Sequence, residues 1–115
     1  MRDDVAPLSQ ILERIERIKA SGIDRDRFLK HPWDQDALIR NLEIIGEAAK
    51  RLSNATRDRA QGIRWSDIAG FRDIAIHGYD KLSLEKTWVI VERDLPLLTK
   101  EVRRLLSTPA GRKSR

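Results

Sequence analysis

The stretch 83–106, SLEKTWVIVERDLPLLTKEVRRLL, is the pattern that decides the fold. Apolar residues recur in it at alternating steps of four and three, which is the spacing of one face of an α-helix. The pattern predicts a long helix that begins near Ser83. Pro96 interrupts its backbone hydrogen bonds, so we predict a kink or a split near Leu95. The apolar face consists of Leu84, Trp88, Val91, Leu95, Leu98, Val102 and Leu105.

The first part of the chain shows the same helical period. Pro7 fits the first turn of the first helix, and Ser21 followed by Gly22 predicts its end. In the connector that follows, residues 24–29 predict a short helical turn, which ends before Pro32 because the residue preceding a proline avoids helical dihedrals. The apolar positions of the first helix are Val5, Leu8, Ile11, Leu12, Ile15 and Ile18.

A second long helix is predicted with Asp34 as its N-cap. Gly46 lies in its middle, where a glycine costs about 1 kcal/mol relative to alanine. We therefore expect another helix to approach closely at Gly46. Residues 53–61 are polar and predict a loop or a short surface helix. The apolar seam is Leu38, Leu42, Ile45, Ala49 and Leu52, widened by Ile39, Ile44 and Ala48.

A third helix is predicted from a cap at Ser66 or Asp67 up to His77. Its apolar residues are Ile68, Phe71, Ile74, Ala75 and Ile76, and Gly78 follows as the usual left-handed stop. His77 should therefore lie at the end of a helix.

These segments predict an all-α fold, an up-and-down bundle of four to five helices with a kinked C-terminal helix. The heptad spacing of residues 83–106 also fits a coiled-coil seam, but Pro96 and the need of the other helices for partners favour a bundle core. We expect one helical domain, residues 1–108, and a basic disordered tail, residues 109–115. The three tryptophans, Trp33, Trp65 and Trp88, could stack on bases but fit the core better.

The composition narrows the class of protein. The chain has 115 residues, no cysteine and a net charge of +5. The missing cysteines exclude disulfides and thiolate sites and suit a reducing cytoplasm. No apolar run approaches the roughly 20 residues of a membrane span. The positive charge is a weak indication of a polyanionic partner, since part of it lies in the predicted tail.

Arg72 and His77 are the residues whose spacing could carry chemistry. If the helix ends at His77, its imidazole can turn back toward the long Arg72 side chain, and a helix C-terminus favours the charged imidazole. Spacing alone also fits a C-cap histidine beside a solvated arginine. The histidines, His31 and His77, have no carboxylate at a ligand-like spacing, so neither a metal nor a cofactor is expected.

Residues 72–79, RDIAIHGY, resemble the Arg-x4-His-x-Tyr signature of the HepT-like family, a branch of the HEPN superfamily. Three other blocks resemble the family in the same order: 41–52, NLEIIGEAAKRL; 65–72, WSDIAGFR; and 94–96, DLP. The resemblance covers roughly residues 5 to 106. It implies an HEPN-type bundle and a ribonuclease toxin of a type VII toxin–antitoxin system.

The resemblance also implies a mechanism and partners. The activity would be metal-independent endonucleolytic cleavage of RNA, with Arg72 and His77 as catalytic residues. One histidine cannot easily serve as base and acid in one turnover, so a homodimer would bring two copies into one cleft. Gly46 and its small neighbours offer one possible surface for that dimer.

Two further site residues follow from the family match. Asp73 could orient Arg72 or His77, or it could be a solvated helix charge. Tyr79 would accept AMP from a minimal, MntA-like nucleotidyltransferase antitoxin, and the added negative charge would repel RNA. Without the match, Tyr79 would be expected simply to pack against the bundle.

Two rival functions share these features. The chain could be a non-catalytic HEPN module that binds a nucleotide or a partner, or the neutralising partner of a toxic nucleotidyltransferase. The presence of both Arg72 and His77 favours the nuclease over the first rival.

Overall fold

Helices form almost all of the chain that the computed structural model describes, which is residues 4–77 and 79–107 apart from the side chain of His77. No strand occurs in these residues, so the predicted all-α class is confirmed. The predicted tail, 109–115, lies outside them. The elements are α1 (Val5–Ser21), α2 (Arg25–Lys30), α3 (Pro32–Lys50), α4 (Asn54–Asp58), α5 (Trp65–Ala69), a 3₁₀ turn (Gly70–Asp73), α6 (Ile74–His77) and α7 (Lys81–Ser107).

The three long helices α1, α3 and α7 build the core. Polar contacts show that α1 and α3 are antiparallel: Arg51, just past the end of α3, donates to Gln10 near the start of α1 at 2.7 Å. Asn41, earlier in α3, accepts from Arg14, later in α1, at 3.4 Å. This direction agrees with the predicted up-and-down order.

Helix α7 packs against α1 with the face that its heptad spacing predicted. Arg103, near the end of α7, donates to Glu16 of α1 at 2.8 Å. At the other end, Glu85 lies 3.6 Å from Arg25, which follows α1 in the chain. The heptad is therefore a bundle core: Leu84, Trp88, Leu95, Leu98, Val102 and Leu105 are buried, and Val91 packs against them.

The ends of α1 and α2 are where the sequence predicts them. Gly22 follows α1 with a left-handed φ of 70°, a backbone conformation that favours glycine. Asp24 caps α2 by accepting a hydrogen bond from the Arg27 amide at 2.9 Å. Ser53 caps the short helix α4 in the same way through the Thr56 amide. The connector and the polar 53–61 segment thus each contain the expected short helix.

The prediction of Asp34 as the cap of α3 is wrong. The helix begins at Pro32, with His31 in the cap position. Proline suits the first turn, where its missing N–H is not needed, so the helix starts three residues, almost one turn, earlier. Asp34 instead binds Arg27 of α2 through two hydrogen bonds of 3.1 Å each.

The start of α7 also differs slightly from the prediction. The helix begins at Lys81, because Asp80 accepts hydrogen bonds from the amide and the hydroxyl of Ser83 at 2.9 and 3.0 Å. The expected split near Leu95 does not occur, since α7 continues through Pro96 to Ser107. Buried residues on both sides of the proline, Trp88 and Leu95 before it and Leu98 and Val102 after it, hold the two halves in one helix.

The predicted third helix is interrupted. It begins at Trp65, after Arg64, with no side-chain cap; Asp67 pairs with Arg64 at 3.2 Å instead. Gly70 then starts a 3₁₀ turn that separates α5 from α6. Glycine weakens an α-helix, and 3₁₀ turns are common in such short connections.

Gly46 is where α3 and this 3₁₀ turn meet, as the close-approach prediction required. A Cβ on Gly46 would lie 2.6 Å from the Arg72 amide nitrogen and 3.0 Å from the Ala69 carbonyl oxygen. Gly46 is buried by its own chain, so the suggestion that it forms a dimer surface is wrong.

The tryptophans divide into two groups. Trp65 and Trp88 are buried, and the Trp88 ring lies 5.9 Å from that of Phe28. Trp33 is 86% exposed, so the core assignment is wrong for this residue. It stands nine residues before Leu42, and at about 100° per residue this places it on the opposite side of α3 from the core.

Candidate functional site

Buried apolar residues fix the segment that carries the candidate site. Ile68 of α5 and Phe71 of the 3₁₀ turn are 3% and 2% exposed, and Ile74 packs against the same core. Arg72 lies between these anchors and is only partly buried, whereas Ile76 is exposed. The segment is therefore held against the core by every third residue from Ile68 to Ile74, while Arg72 and Ile76 are accessible to solvent.

Arg72 is positioned firmly at its backbone and loosely at its guanidinium. The backbone nitrogen lies against Gly46 of α3. The guanidinium lies 3.9 Å from Glu47 and 3.7 Å from Asp73, and the Arg72 side chain is 37% exposed. Both distances exceed those of hydrogen bonds, and exposed pairs of this kind contribute about 0–1 kcal/mol. The guanidinium can exchange these carboxylates for another anion at little cost.

His77 is the last residue of α6, in agreement with its predicted position at a helix end. Its side chain lies outside the described part of the structure, and so does Gly78, the predicted stop. The position of His77 in the chain is one residue after Ile76 of α6 and two residues before Tyr79 of the following turn.

Tyr79 points its hydroxyl at α3. The oxygen donates a hydrogen bond of 2.9 Å to Oδ1 of Asp36. Burial, the hydrogen bond to Asp36 and the negative charges of Asp36 and Glu43 together raise the pKa of Tyr79 above its ordinary value. The side chain is still 46% exposed, so the expectation that Tyr79 simply packs against the bundle is only partly met.

Two carboxylates at this site were missed by the sequence analysis. Asp36 meets Tyr79 across 43 residues, and Glu47 meets Arg72 from the next helix position after Gly46. Both are exposed charges on a helix, which is the commonest place for such residues. No local signal distinguishes them, because their importance comes from α3 lying beside the 72–79 segment.

The part of the chain that the structure describes has neither a metal-binding cluster nor a membrane-spanning helix. It contains no group of three or more histidine, aspartate or glutamate side chains able to hold a metal ion. None of its helices combines the length and apolarity that a membrane crossing requires.

A family model supports the resemblance seen in the sequence. The model described as "Ribonuclease HepT-like" matches residues 9–105. The match includes α3, the 3₁₀ turn and α6, and therefore every residue of the candidate site.

Individual relatives give the same result. The chain is 34% identical over 96 residues to "Probable ribonuclease HepT" of Thermococcus cleftensis, covering 84% of each chain. It is 39% identical over 92 residues to a "Putative RNase" of Caldanaerobacter subterraneus, covering 80% of each.

A longer relative contains an additional part. The "Gamma-glutamylcyclotransferase and putative RNase" of Methanocaldococcus jannaschii is 40% identical over 109 residues, which are 92% of this chain. The chain spans only 49% of the length of that relative. No solved structure matches the chain.

Proposed function

The chain belongs to the HepT-like ribonuclease family, and from that premise we propose that it is a metal-independent RNA endonuclease. The observation that carries the proposal is the family match across residues 9–105, which contains both Arg72 and His77. The names of the relatives, which call them RNases, support the same substrate class.

The proposed chemistry uses the nucleophile that RNA itself carries. A ribose 2′-hydroxyl attacks the adjacent phosphorus while His77 removes or supplies a proton, since imidazole titrates near neutral pH. Arg72 stabilises the negative charge that develops on the nonbridging oxygens. The products are a 2′,3′-cyclic phosphate and a 5′-hydroxyl.

The surroundings of Arg72 support its role. A planar guanidinium pairs well with a phosphate, and its two weak carboxylate contacts, Glu47 and Asp73, are readily replaced. We include Asp73 in the catalytic set as the residue that orients Arg72 before RNA binds. The alternative role of Asp73, a solvated charge, predicts that Asp73→Asn cleaves RNA like the wild type.

A homodimer completes the proposed site. Two copies of His77 in one cleft would let one act as the base and the other as the acid in a single turnover. The dimer surface must lie elsewhere than at Gly46, because that residue is buried within the chain.

We further propose that the enzyme is the cytoplasmic toxin of a type VII toxin–antitoxin system. Its partner would be a minimal, MntA-like nucleotidyltransferase, which transfers AMP to Tyr79. The exposed phenol, in the turn directly after α6, is reachable by such a partner. Each AMP would add a negative charge to the segment 72–79 that carries Arg72 and His77, and so oppose the binding of RNA.

Digestion of bulk RNA tests the nuclease proposal. We expect the wild type to cleave RNA in the presence of EDTA. We expect the cleavage rate of His77→Ala and of Arg72→Ala to be at least about 100-fold lower, which is the usual effect of losing a proton-transfer group or an oxyanion donor. His31→Ala is the matched control, because His31 is the other histidine of the chain and lies at the start of α3. It should cleave like the wild type.

The rival functions predict different results. Equal cleavage by the wild type and His77→Ala would mean a contaminating nuclease and favour a non-catalytic module. Growth arrest by the nucleotidyltransferase alone, and never by this chain, would make this chain the neutralising partner.

A further inference from the structure

The hydrogen bond between Tyr79 and Asp36 has a chemical use if Tyr79 is modified. We propose that Asp36 positions the Tyr79 hydroxyl and accepts its proton when the phenolic oxygen attacks the α-phosphorus of a nucleoside triphosphate. This inference rests on the proposed modification of Tyr79 and adds to it the residue of this chain that activates the acceptor.

The position of Asp36 suits a base that must not move. It lies on α3, whose neighbouring residues Leu38 and Ile39 are each 1% exposed. Tyr79 lies in the short turn between α6 and α7, so the 2.9 Å hydrogen bond ties a turn residue to a core helix. Holding the nucleophile at a fixed point reduces the entropy lost on reaching the transition state.

The charge of Asp36 is also available for this role. Among the described side chains, which do not include that of His77, its carboxylate forms a hydrogen bond with Tyr79 and no ion pair within 4.0 Å. Asp34, on the same helix turn, is instead neutralised by Arg27. Asp36 is exposed, so a proton that it accepts from Tyr79 can pass on to water.

The proposed step exchanges one phosphorus–oxygen bond for another. Tyr79 Oη forms a bond to the α-phosphorus, and the bond from that phosphorus to the pyrophosphate oxygen breaks. The phenolic proton passes to Asp36 Oδ1 and then to solvent, and pyrophosphate leaves. Afterwards the tyrosine oxygen has no proton to donate, so the link between Asp36 and Tyr79 is lost.

Glu43 provides a comparison within the same site. Its negative charge reaches Tyr79 and raises the pKa of the phenol, but the hydrogen bond goes to Asp36. Glu43 also pairs with Arg40 at 3.2 Å. Glu43→Gln therefore removes a nearby charge without removing the base.

Asp36 could act on Tyr79 only through its negative charge, or it could accept the phenolic proton. The two roles predict opposite changes in the rate of AMP transfer when Asp36 is replaced by asparagine. If Asp36 acted only through its charge, Asp36→Asn would lower the pKa of Tyr79, increase the fraction of phenolate and speed the reaction. If Asp36 accepts the proton, Asp36→Asn keeps an oxygen acceptor in place but slows the reaction. We expect kcat to fall about 100-fold, the lower end of the range for general base catalysis, with KM for ATP little changed.

The experiment measures AMP transfer by intact mass, with ATP and a minimal nucleotidyltransferase as the probe. We expect AMP-sized gains on the wild type and Glu43→Gln at similar rates, slow gains on Asp36→Asn and none on Tyr79→Phe. Asp36→Asn as fast as Glu43→Gln would overturn the role of Asp36. No gain on the wild type, or a gain that persists in Tyr79→Phe, would instead overturn the proposed modification of Tyr79.

A second measurement needs no partner protein. N-acetylimidazole acetylates phenols, and peptide mapping reports the rate at Tyr79 alone, since it is the only tyrosine. We expect Asp36→Asn to react more slowly than the wild type and Glu43→Gln at neutral pH. The difference should shrink as the pH rises toward the ionisation of the phenol itself. A faster reaction of Asp36→Asn at neutral pH would show a field effect and reject proton acceptance.

Discussion

Tyr79 is the only tyrosine of the chain, so its ionisation can be followed by tyrosinate absorbance without interference from another phenol. Burial, the hydrogen bond to Asp36 and the charges of Asp36 and Glu43 all disfavour the phenolate. We expect the midpoint to lie above the usual value of about 10. Asp36→Asn should lower it by more than Glu43→Gln does, because the Asp36 carboxylate lies 2.9 Å from the phenolic oxygen, and asparagine keeps the acceptor oxygen but not the charge.

Circular dichroism at each pH checks that the chain is still folded while Tyr79 titrates. Identical midpoints in the wild type and Asp36→Asn would mean that the charge of Asp36 does not lie beside the phenol in solution. The comparison also fixes the direction of the field effect on which the acetylation experiment depends.

The two ends of the Asp36–Tyr79 hydrogen bond differ in how well sequence could predict them. Tyr79 belongs to the local motif 72–79, in which spacing and family resemblance make Arg72, His77 and Tyr79 candidates together. Asp36 lies 43 residues earlier and has the local pattern of any exposed helix charge. A contact between two elements has no signature within either of them, so only their packing identifies it.

At the scale of elements, Gly46 sets how closely α3 approaches the 3₁₀ turn. Alanine there would gain about 1 kcal/mol of helix propensity. Its Cβ would meet the Arg72 nitrogen at 2.6 Å, and backbone atoms cannot rotate away as a flexible side chain can. Overpacking of this kind costs about 1–3 kcal/mol, so we expect Gly46→Ala to lower the free energy of unfolding in urea denaturation.

Gly62 and Gly70 offer matched controls for that substitution. A Cβ at either position would meet nothing within 4 Å, so Gly62→Ala and Gly70→Ala should unfold near the wild-type midpoint. Because the displaced atom belongs to Arg72, Gly46→Ala should also reduce RNA cleavage under conditions where it remains folded. A Gly46→Ala variant as stable as the two controls would show that the turn can move away freely.

The long helices are predicted well from the sequence, whereas the 3₁₀ turn that contacts Gly46 is not. Helices α1, α3 and α7 each repeat an apolar period over several turns, and that repetition is enough to place them. The 70–73 segment also carries a helical period, yet it winds as a 3₁₀ turn against Gly46. Periodicity alone predicts neither the change of winding at Gly70 nor the contact of this turn with Gly46.

At the scale of the molecule, the apolar faces of the helices predict the bundle. They do not predict the polar contact that closes the bundle at its N-terminal end. Asp4 precedes α1 and is 4% exposed. Its carboxylate accepts hydrogen bonds from the Ser53 amide at 3.2 Å, from the Ser53 hydroxyl at 2.6 Å and from the Thr56 hydroxyl. An acidic residue before a helix predicts a cap, whereas this one joins the start of α1 to the start of α4.

This closure should make the stability of the whole bundle depend on pH. Burial raises the pKa of Asp4, but the hydrogen bonds from the two hydroxyls and the amide outweigh burial and leave the pKa below 3.8, its ordinary value. A carboxyl whose pKa is lower in the folded than in the unfolded chain stabilises the fold at neutral pH. That contribution is lost as the pH falls below the ordinary value and through the folded one.

Asp4→Ala tests the closure directly. It removes the acceptor of three hydrogen bonds, those from the Ser53 amide, the Ser53 hydroxyl and the Thr56 hydroxyl, so we expect a loss of about 1–3 kcal/mol in the free energy of unfolding at pH 7. The deficit relative to the wild type should shrink when the pH is lowered through the acid range, because the wild type then loses the charge as well. Asp26→Ala is a suitable control, since Asp26 is exposed and pairs only with Lys30 on the surface of α2. If the deficit of Asp4→Ala is constant from pH 7 down to pH 3, the carboxylate charge has no part in closing the bundle.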